Sequence, residues 1–426
     1  MTRRPPLRPA LCLYAIAALT GVGQAQAQST NSPYFIGLSQ TVQHESNTLG
    51  LADGSAVPSG FSRADTISST ALLAGFDQPI GRQRAYANLN WRDNRYAKND
   101  TFNYQSYSAS VGLDWSTVER VAGTLTAAAN RSLQRFSTAE VNLSTEKNLE
   151  SSAEVGMTAN VGLVTQYSFE LGASHREVRN SLQLDAVQSR NYELDAANAG
   201  LRWRPGGFLT LSLGLSGSKG RYPKFRTAAD GSYQPDRFDR KDLYLSANYT
   251  ASGASQLSMR VAHGTTKYDL NEQRNFSGTT GYLNWNWQAT GKLQTTTSLS
   301  RDTGQDSYSL TIPLAFGQPI LTLADYSRTI NTYRVRTSYA ATGRIGVTAS
   351  LARIDRKLSR TSDTGVLSDA EGRDRSHVLS VGARWAPLRA ASVGCDYSKS
   401  QRSGEGRLVS PYHNTTFSCF GQITLQ

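Results

Sequence analysis

Apolar residues recur at every second position over one strand-length segment after another, and this period restricts the chain to folds built from two-faced β-strands. Leu209, Leu211, Leu213 and Leu215 take one face of such a segment, with Thr210, Ser212 and Gly214 on the other. The same alternation runs through Val111, Leu113 and Trp115, through Val155, Met157, Ala159 and Val161, through Ile345, Val347, Ala349 and Leu351, and through Phe417, Cys419, Gly421, Ile423 and Leu425. Helical spacing does not fit these segments. An alternating strand can stand in lipid on one side and water on the other, provided the sheet closes on itself.

The connectors alternate as well. Tight turns such as Pro205-Gly206-Gly207, Ser252-Gly253-Ala254, Thr290-Gly291 and Thr342-Gly343 exchange with long polar stretches. The long stretches run from about Asn47 to Ala64, Tyr96 to Thr101, Phe136 to Lys147, Arg179 to Arg190, Gly220 to Arg240, Asn271 to Asn275, Thr303 to Tyr326, Ile354 to Gly372 and Ser400 to Tyr412. Short turns at one rim and long loops at the other are the outer-membrane arrangement. The expected fold is therefore all-β: a transmembrane antiparallel outer-membrane β-barrel of about 18 strands, with short periplasmic turns and long extracellular loops. The strands are expected to begin near 34, 65, 83, 102, 119, 151, 166, 191, 208, 241, 255, 276, 292, 328, 344, 375, 390 and 414. The apolar part of Thr303 to Tyr326 reads either as a loop hairpin or as an extra strand pair, and Pro313 disfavours a central ladder position.

Export is expected from the N-terminus. Arg3, Arg4 and Arg8 precede an apolar stretch from Ala10 to Val22 that ends at Ala25-Gln26-Ala27, the form of a secretory signal peptide. Residues 1–27 are expected to be the signal and 28–426 the barrel, located in the outer membrane. No later run approaches the roughly 20 apolar residues of a helical span. Mean hydropathy is −0.44, as a barrel with a polar lumen gives. The net charge of +12 suits anionic partners such as lipopolysaccharide or acidic glycans, whereas nucleic acid is not expected outside the cytoplasm.

Trp115, Trp203, Trp285, Trp287 and Trp385 each lie where a segment runs into a short turn. They are expected to form a periplasmic aromatic girdle, with Trp91 the exception. Cys395 and Cys419 lie at equal distances from the middle of the last long loop, which places them opposite each other in an antiparallel hairpin. A structural disulfide is expected there, with free thiols the alternative. His44, His175, His263, His377 and His413 show no metal-ligand spacing. Ser376 and His377 beside Asp374 do not make a triad, because adjacent strand residues point to opposite faces. No cofactor, metal or catalytic set is expected. Basic residues cluster in two of the long stretches, at Lys219, Arg221, Lys224, Arg226, Arg237 and Arg240 and at Arg356, Lys357 and Arg360. These read as contacts to anionic glycan or lipopolysaccharide phosphate, or as an ordinary solvated rim with interspersed carboxylates.

The opening strand, Ser32-Pro33-Tyr34-Phe35-Ile36-Gly37-Leu38-Ser39-Gln40, is followed by His44-Glu45-Ser46-Asn47-Thr48-Leu49. This segment, together with units such as Leu201-Arg202-Trp203-Arg204-Pro205, resembles the outer-membrane β-barrel proteins of exopolysaccharide biosynthesis operons, the EpsL-like family. That resemblance implies a part in secretion or assembly of a surface polysaccharide, as export channel or accessory, with periplasmic export proteins as partners. It supplies no catalytic residues. The alternative is a general or sugar-selective diffusion porin. A porin ordinarily sets an acidic constriction loop against a basic ladder, and Thr303 to Tyr326 offers only Asp306 and Asp325, which favours export.

Overall fold

The structure is a computed structural model that describes residues 32–426 apart from 119, 135–144, 163–164, 229, 271, 304–310, 313–319, 322–326, 361–369, 407–408 and 410. The expected signal peptide lies outside the described residues. In chain order the strands are β1 (Tyr34–Glu45), β2 (Asp65–Ile80), β3 (Gln83–Tyr96), β4 (Tyr104–Ser116), β5 (Val121–Gln134), β6 (Asn148–Val161), β7 (Tyr167–Asn180), β8 (Tyr192–Gly206), β9 (Leu209–Thr227) and β10 (Tyr233–Ser252). They continue with β11 (Ser255–Tyr268), β12 (Phe276–Gln288), β13 (Leu293–Asp302), β14 (Thr311–Ile312), β15 (Ile320–Leu321), β16 (Ser327–Ala340), β17 (Ile345–Arg360), β18 (Ala370–Trp385), β19 (Ala391–Gly406) and β20 (Tyr412–Leu425).

All but β14 and β15 belong to one 18-stranded antiparallel sheet. The sheet closes where β1 pairs with both β2 and β20. Closure leaves no sheet edge, so every ladder group within the wall has a partner and the wall can stand in hydrocarbon. The β2–β3 connection shows how tightly the short rim is drawn. Ile80 pairs with Gln83 across only two residues, and Gly81 supplies the left-handed backbone (φ 62°) that this reversal uses.

Alternation decides which face meets lipid. Ile36, Leu38 and Val42 on β1, Leu213 and Leu215 on β9, Leu243 and Leu245 on β10 and Val393 and Tyr397 on β19 are exposed on the outer face of the wall. They belong to a continuous apolar belt of a kind a soluble protein does not carry, which places this barrel in the outer membrane. All six tryptophans share that outer face. Trp115, Trp203, Trp285, Trp287 and Trp385 stand near the short-turn rim, whereas Trp91 pairs with Leu72 and Tyr107 toward the upper limit of the belt. Just above Trp91 the outer face turns polar with Asp93 and Arg95.

The strands begin within three residues of the positions expected from sequence, except for two. β10 starts at Tyr233 and not near 241, and β18 at Ala370 and not near 375. The stretch from Gly220 to Arg240 is consequently not one long loop, because β9 and β10 pair through most of it. The same correction applies to Ile354 to Gly372 and Ser400 to Tyr412, whose flanks are the paired ends of β17, β18 and β19. Apolar alternation stops where lipid stops, while the hydrogen-bonded ladder needs no apolar residue and continues into water.

Within Thr303 to Tyr326, β14 and β15 form a two-residue ladder of their own. These four residues pair with each other and not with the barrel sheet. Most of the segment lies outside the described residues, so its relation to the lumen does too.

Apolar clusters gather at the long-loop end, one of them Ile330, Ala352, Ile354 and Val378 on β16 to β18. Leu49 and Leu51 of the first loop are buried with Ile67, Tyr96 and Phe102. Tyr222, Phe238 and Tyr268 form a row of contacting rings on β9, β10 and β11, at centroid separations of 6.0 and 5.1 Å. Arg274 lies over Tyr222 and Tyr268.

Candidate functional site

The lumen face consists of residues that alternate with the apolar belt, and they are polar almost throughout. Small residues let the larger ones lie flat against the wall. Tyr244 drapes over Gly214 and Gly200, where a Cβ would stand 2.5 and 2.7 Å from its hydroxyl. The guanidinium of Arg260 stacks on the Tyr244 ring at 3.9 Å and donates to the Ser216 hydroxyl.

Charge is distributed unevenly around the bore. On β1 to β7 the lumen side carries Asp77, Asp114, Glu150, Glu154 and Glu170, with Glu45 and Asp65 at the outer rim, against Arg84, Arg92 and Arg176. On β16 to β19 it carries Arg334, Arg336, Arg356, Arg384 and Arg402 against Asp374 and Asp396. Counting round the 18-stranded ring, β16 stands opposite β5, β17 opposite β6 and β18 opposite β7. The arginine-rich wall therefore faces the strands that carry Glu150, Glu154 and Glu170, together with Arg176 and Arg202. The cations of both walls are all arginine, which stays charged at every physiological pH and presents a planar fork to carboxylates and phosphates.

Part of this charge is tied up locally. Asp77 accepts from Arg84, which also reaches Asp114 at 3.5 Å. Arg176 stands 3.9 Å from Glu154, and Arg202 contacts Glu170. At the outer end of the basic wall, the fully buried Asp374 accepts from Arg356 at 2.5 Å and from Arg402 at 2.8 Å. Lower down, among the described residues, Arg336 and Arg384 form no ion pair with a carboxylate, so their charge faces the bore.

The sequence-derived basic clusters divide between the two faces. Lys219, Arg221 and Arg237 stand on the outer face of β9 and β10 above the belt, and Lys357 does the same on β17. Arg240 points inward, is buried, and donates to Asp242 at 2.8 Å and to the hydroxyls of Thr303 and Thr280. Arg356 also points inward, to Asp374. Lys224 donates to Gln188 in the loop after β7. Arg226 lies on β9 where the register with β10 shifts. Arg360 closes β17, and its side chain lies outside the described residues. As a group these residues do not form one glycan-binding loop, since strand alternation sends neighbours to opposite faces.

Cys395 and Cys419 are directly paired on β19 and β20 and are joined by a disulfide. They lie on the outer face, among Val393, Tyr397 and Phe417. All five histidines also face outward, and His175 meets Asp195 at 2.8 Å. Ser376 faces the lumen opposite Ile354, while His377 faces outward opposite Arg353. Among the described residues, no three His, Cys, Asp or Glu side chains are grouped to hold a metal ion.

The segment behind the family resemblance has a mechanical role. Asn47 donates to the carbonyls of Leu51 (2.8 Å) and His413 (3.0 Å), and its own carbonyl oxygen accepts from Leu51 N–H (3.0 Å). Its backbone N–H donates to Asn414. The first loop is thereby tied to the last strand across the closing seam.

The sequence reading passed over the opposed charge walls. The signal was present in Tyr333-Arg334-Val335-Arg336, where arginine fills each position between belt residues, but which walls face each other depends on the closed strand order.

No family model and no characterised protein sequence matches the chain. Solved barrels do resemble it in fold. OpdQ of Pseudomonas aeruginosa is 10% identical with a TM-score of 0.45, over 93% of this chain and 99% of that one. OpdO of Pseudomonas aeruginosa is 12% identical with a TM-score of 0.44, over 92% and 97%. The siderophore receptor PirA of Acinetobacter baumannii is 7% identical with a TM-score of 0.44, over 93% and 81%.

Proposed function

We propose that this barrel is an outer-membrane diffusion channel for small hydrophilic solutes. The observation that carries this reading is the pair of opposed charge walls, arginine on β16 to β19 and the glutamates Glu150, Glu154 and Glu170 on β6 and β7. A field directed across a bore orients polar solutes and favours those that can exchange water for contacts on both sides. The wall itself supplies the acidic partner that a constriction loop supplies in other porins, which favours the diffusion porin over polysaccharide export. The test is planar-bilayer recording on the purified full-length protein. Stepwise conductance with a measurable ion selectivity supports the reading, and an electrically silent bilayer containing inserted, folded protein refutes it.

The narrower reading makes the solute a bacterial surface polysaccharide. Its support is the resemblance of the Tyr34 to Leu49 segment to the exopolysaccharide-operon barrels, although Asn47 in that segment is accounted for by the seam it locks. A deletion strain that secretes polysaccharide normally would remove this reading and leave the channel untouched.

A further inference from the structure

The outer face above the apolar belt is also uneven, and this asymmetry concerns the membrane and not the pore. On β13, β16, β17, β18 and β19 the last belt residues are Leu299, Tyr333, Leu351, Leu379 and Tyr397. Directly above them, and within the next few residues of each strand, stand Arg301, Arg353, Arg375, Lys399, Lys357 and Arg373. On the same face this sector carries the carboxylates Asp355 and Glu405, with Glu371 in register on β18 beyond them.

Asp355 sits between two of the cations. It accepts from Arg353 at 2.9 Å and from Arg375 at 2.8 Å, and both guanidiniums remain about half exposed. Each guanidinium carries five N–H donors, so one shared carboxylate holds the pair in place and leaves donors for a second anion. Lys357 and Arg373 are directly opposed across β17 and β18, with Glu405 of β19 on the other side of Arg373, so two cations share one carboxylate there.

A rim that is merely solvated would mix its signs evenly; β3 to β8 do so, whereas the outer face of β9 to β11 carries a second basic stretch, Lys219, Arg221, Arg237, Lys241 and Lys267 around Asp239. On β3 to β8 the corresponding cations are Arg95, Arg131 and Arg179, which stand among Asp93, Glu177, Glu193 and Asp195, with Arg95 paired to Asp93 at 2.8 Å. The sector on β13 and β16 to β19 lies one to three alternate positions above the belt, at the headgroup level of the outer leaflet.

We propose that the outer face of β13, β16, β17, β18 and β19, centred on Arg353, Arg375 and Lys399, binds the phosphate groups of the outer-leaflet glycolipid, lipid A. Guanidinium forks and an ammonium at headgroup height form charge-assisted hydrogen bonds with phosphate oxygens, while Leu351 and Leu379 meet the acyl chains below. The site is independent of whether the pore conducts.

The experiment is thermal unfolding of the full-length barrel in zwitterionic detergent, titrated separately with diphosphoryl lipid A, dephosphorylated lipid A and inorganic phosphate. Diphosphoryl lipid A is expected to raise the transition temperature saturably, with little effect from the other two. The triple variant Arg353→Gln/Arg375→Gln/Lys399→Gln is expected to weaken the apparent affinity by about tenfold or more, and Arg95→Gln/Arg131→Gln/Arg179→Gln to leave it within about twofold. Equal stabilisation by dephosphorylated lipid A, or equal losses in both triple variants, overturns the proposal. So does an inorganic phosphate effect as large as that of the lipid, which marks a free-anion site. If the first triple variant does not fold, Arg301→Gln and Lys399→Gln are measured singly; each is expected to weaken binding by about threefold, and unchanged affinity in both overturns the proposal.

Discussion

Cys395 and Cys419 stand directly opposite each other on the last two strands, and their disulfide lies on the lipid face of the barrel among Val393, Tyr397 and Phe417. Cys419 is also paired with Val42 of β1, so the covalent link borders the seam where the sheet closes. A bond in hydrocarbon is out of reach of a charged reductant.

Reduction by a membrane-impermeant phosphine should accordingly be slower by about an order of magnitude or more in the folded, lipid-embedded barrel than in urea, because access governs thiol exchange. Timed alkylation followed by mass spectrometry measures both rates, and equal rates would place the disulfide in water. The Cys395→Ser/Cys419→Ser variant, which opens a link across 24 residues, should lose about 3 kcal/mol in urea unfolding.

Arg336→Glu and Arg384→Glu should each shift the channel toward cations. A reversed charge at about 8 Å changes an ion's energy by roughly 1 kcal/mol at the dielectric constant of water, in opposite senses for cation and anion, and salt screening roughly halves each change, which leaves about fivefold in the permeability ratio. Reversal potentials under a salt gradient give this number. An unchanged ratio in both variants would mean that the permeating ion does not pass the arginine wall.

Asp374 neutralises two arginines while being fully buried itself, so its removal strands charge away from water. Asp374→Asn should destabilise the barrel by about 3–5 kcal/mol. Combining it with Arg356→Met and Arg402→Met should recover most of the loss. Urea midpoints followed by the gel-mobility difference between folded and unfolded barrel test both statements, and a single variant as stable as the parent would contradict the buried clamp.

Asn47→Ala removes three side-chain hydrogen bonds at the closing seam, at a cost of about 2 kcal/mol for the polar groups left behind. Asn47→Asp should not rescue it, since the carboxylate cannot donate to Leu51 and His413. Proteolytic nicking of the first loop should rise in both variants; unchanged protection would show that the loop is held by Leu49 and Leu51 alone.

The sequence by itself determined the wall: strand identity, strand number, the two rims and the level of the five lower tryptophans all follow from period-2 alternation between lipid and water, a local property of each segment. It overlooked the outer ends of β9, β10 and β17 to β19, because a ladder above the membrane keeps its hydrogen bonds after the apolar signal has ended. Tertiary structure alone decided what the charges do. Arg336 and Glu154, Arg353 and Arg375, and Asn47 and His413 acquire their relationships only when β20 meets β1 and the sheet becomes a ring, since closure and register, not sequence distance, set which side chains share a bore, a rim or a seam.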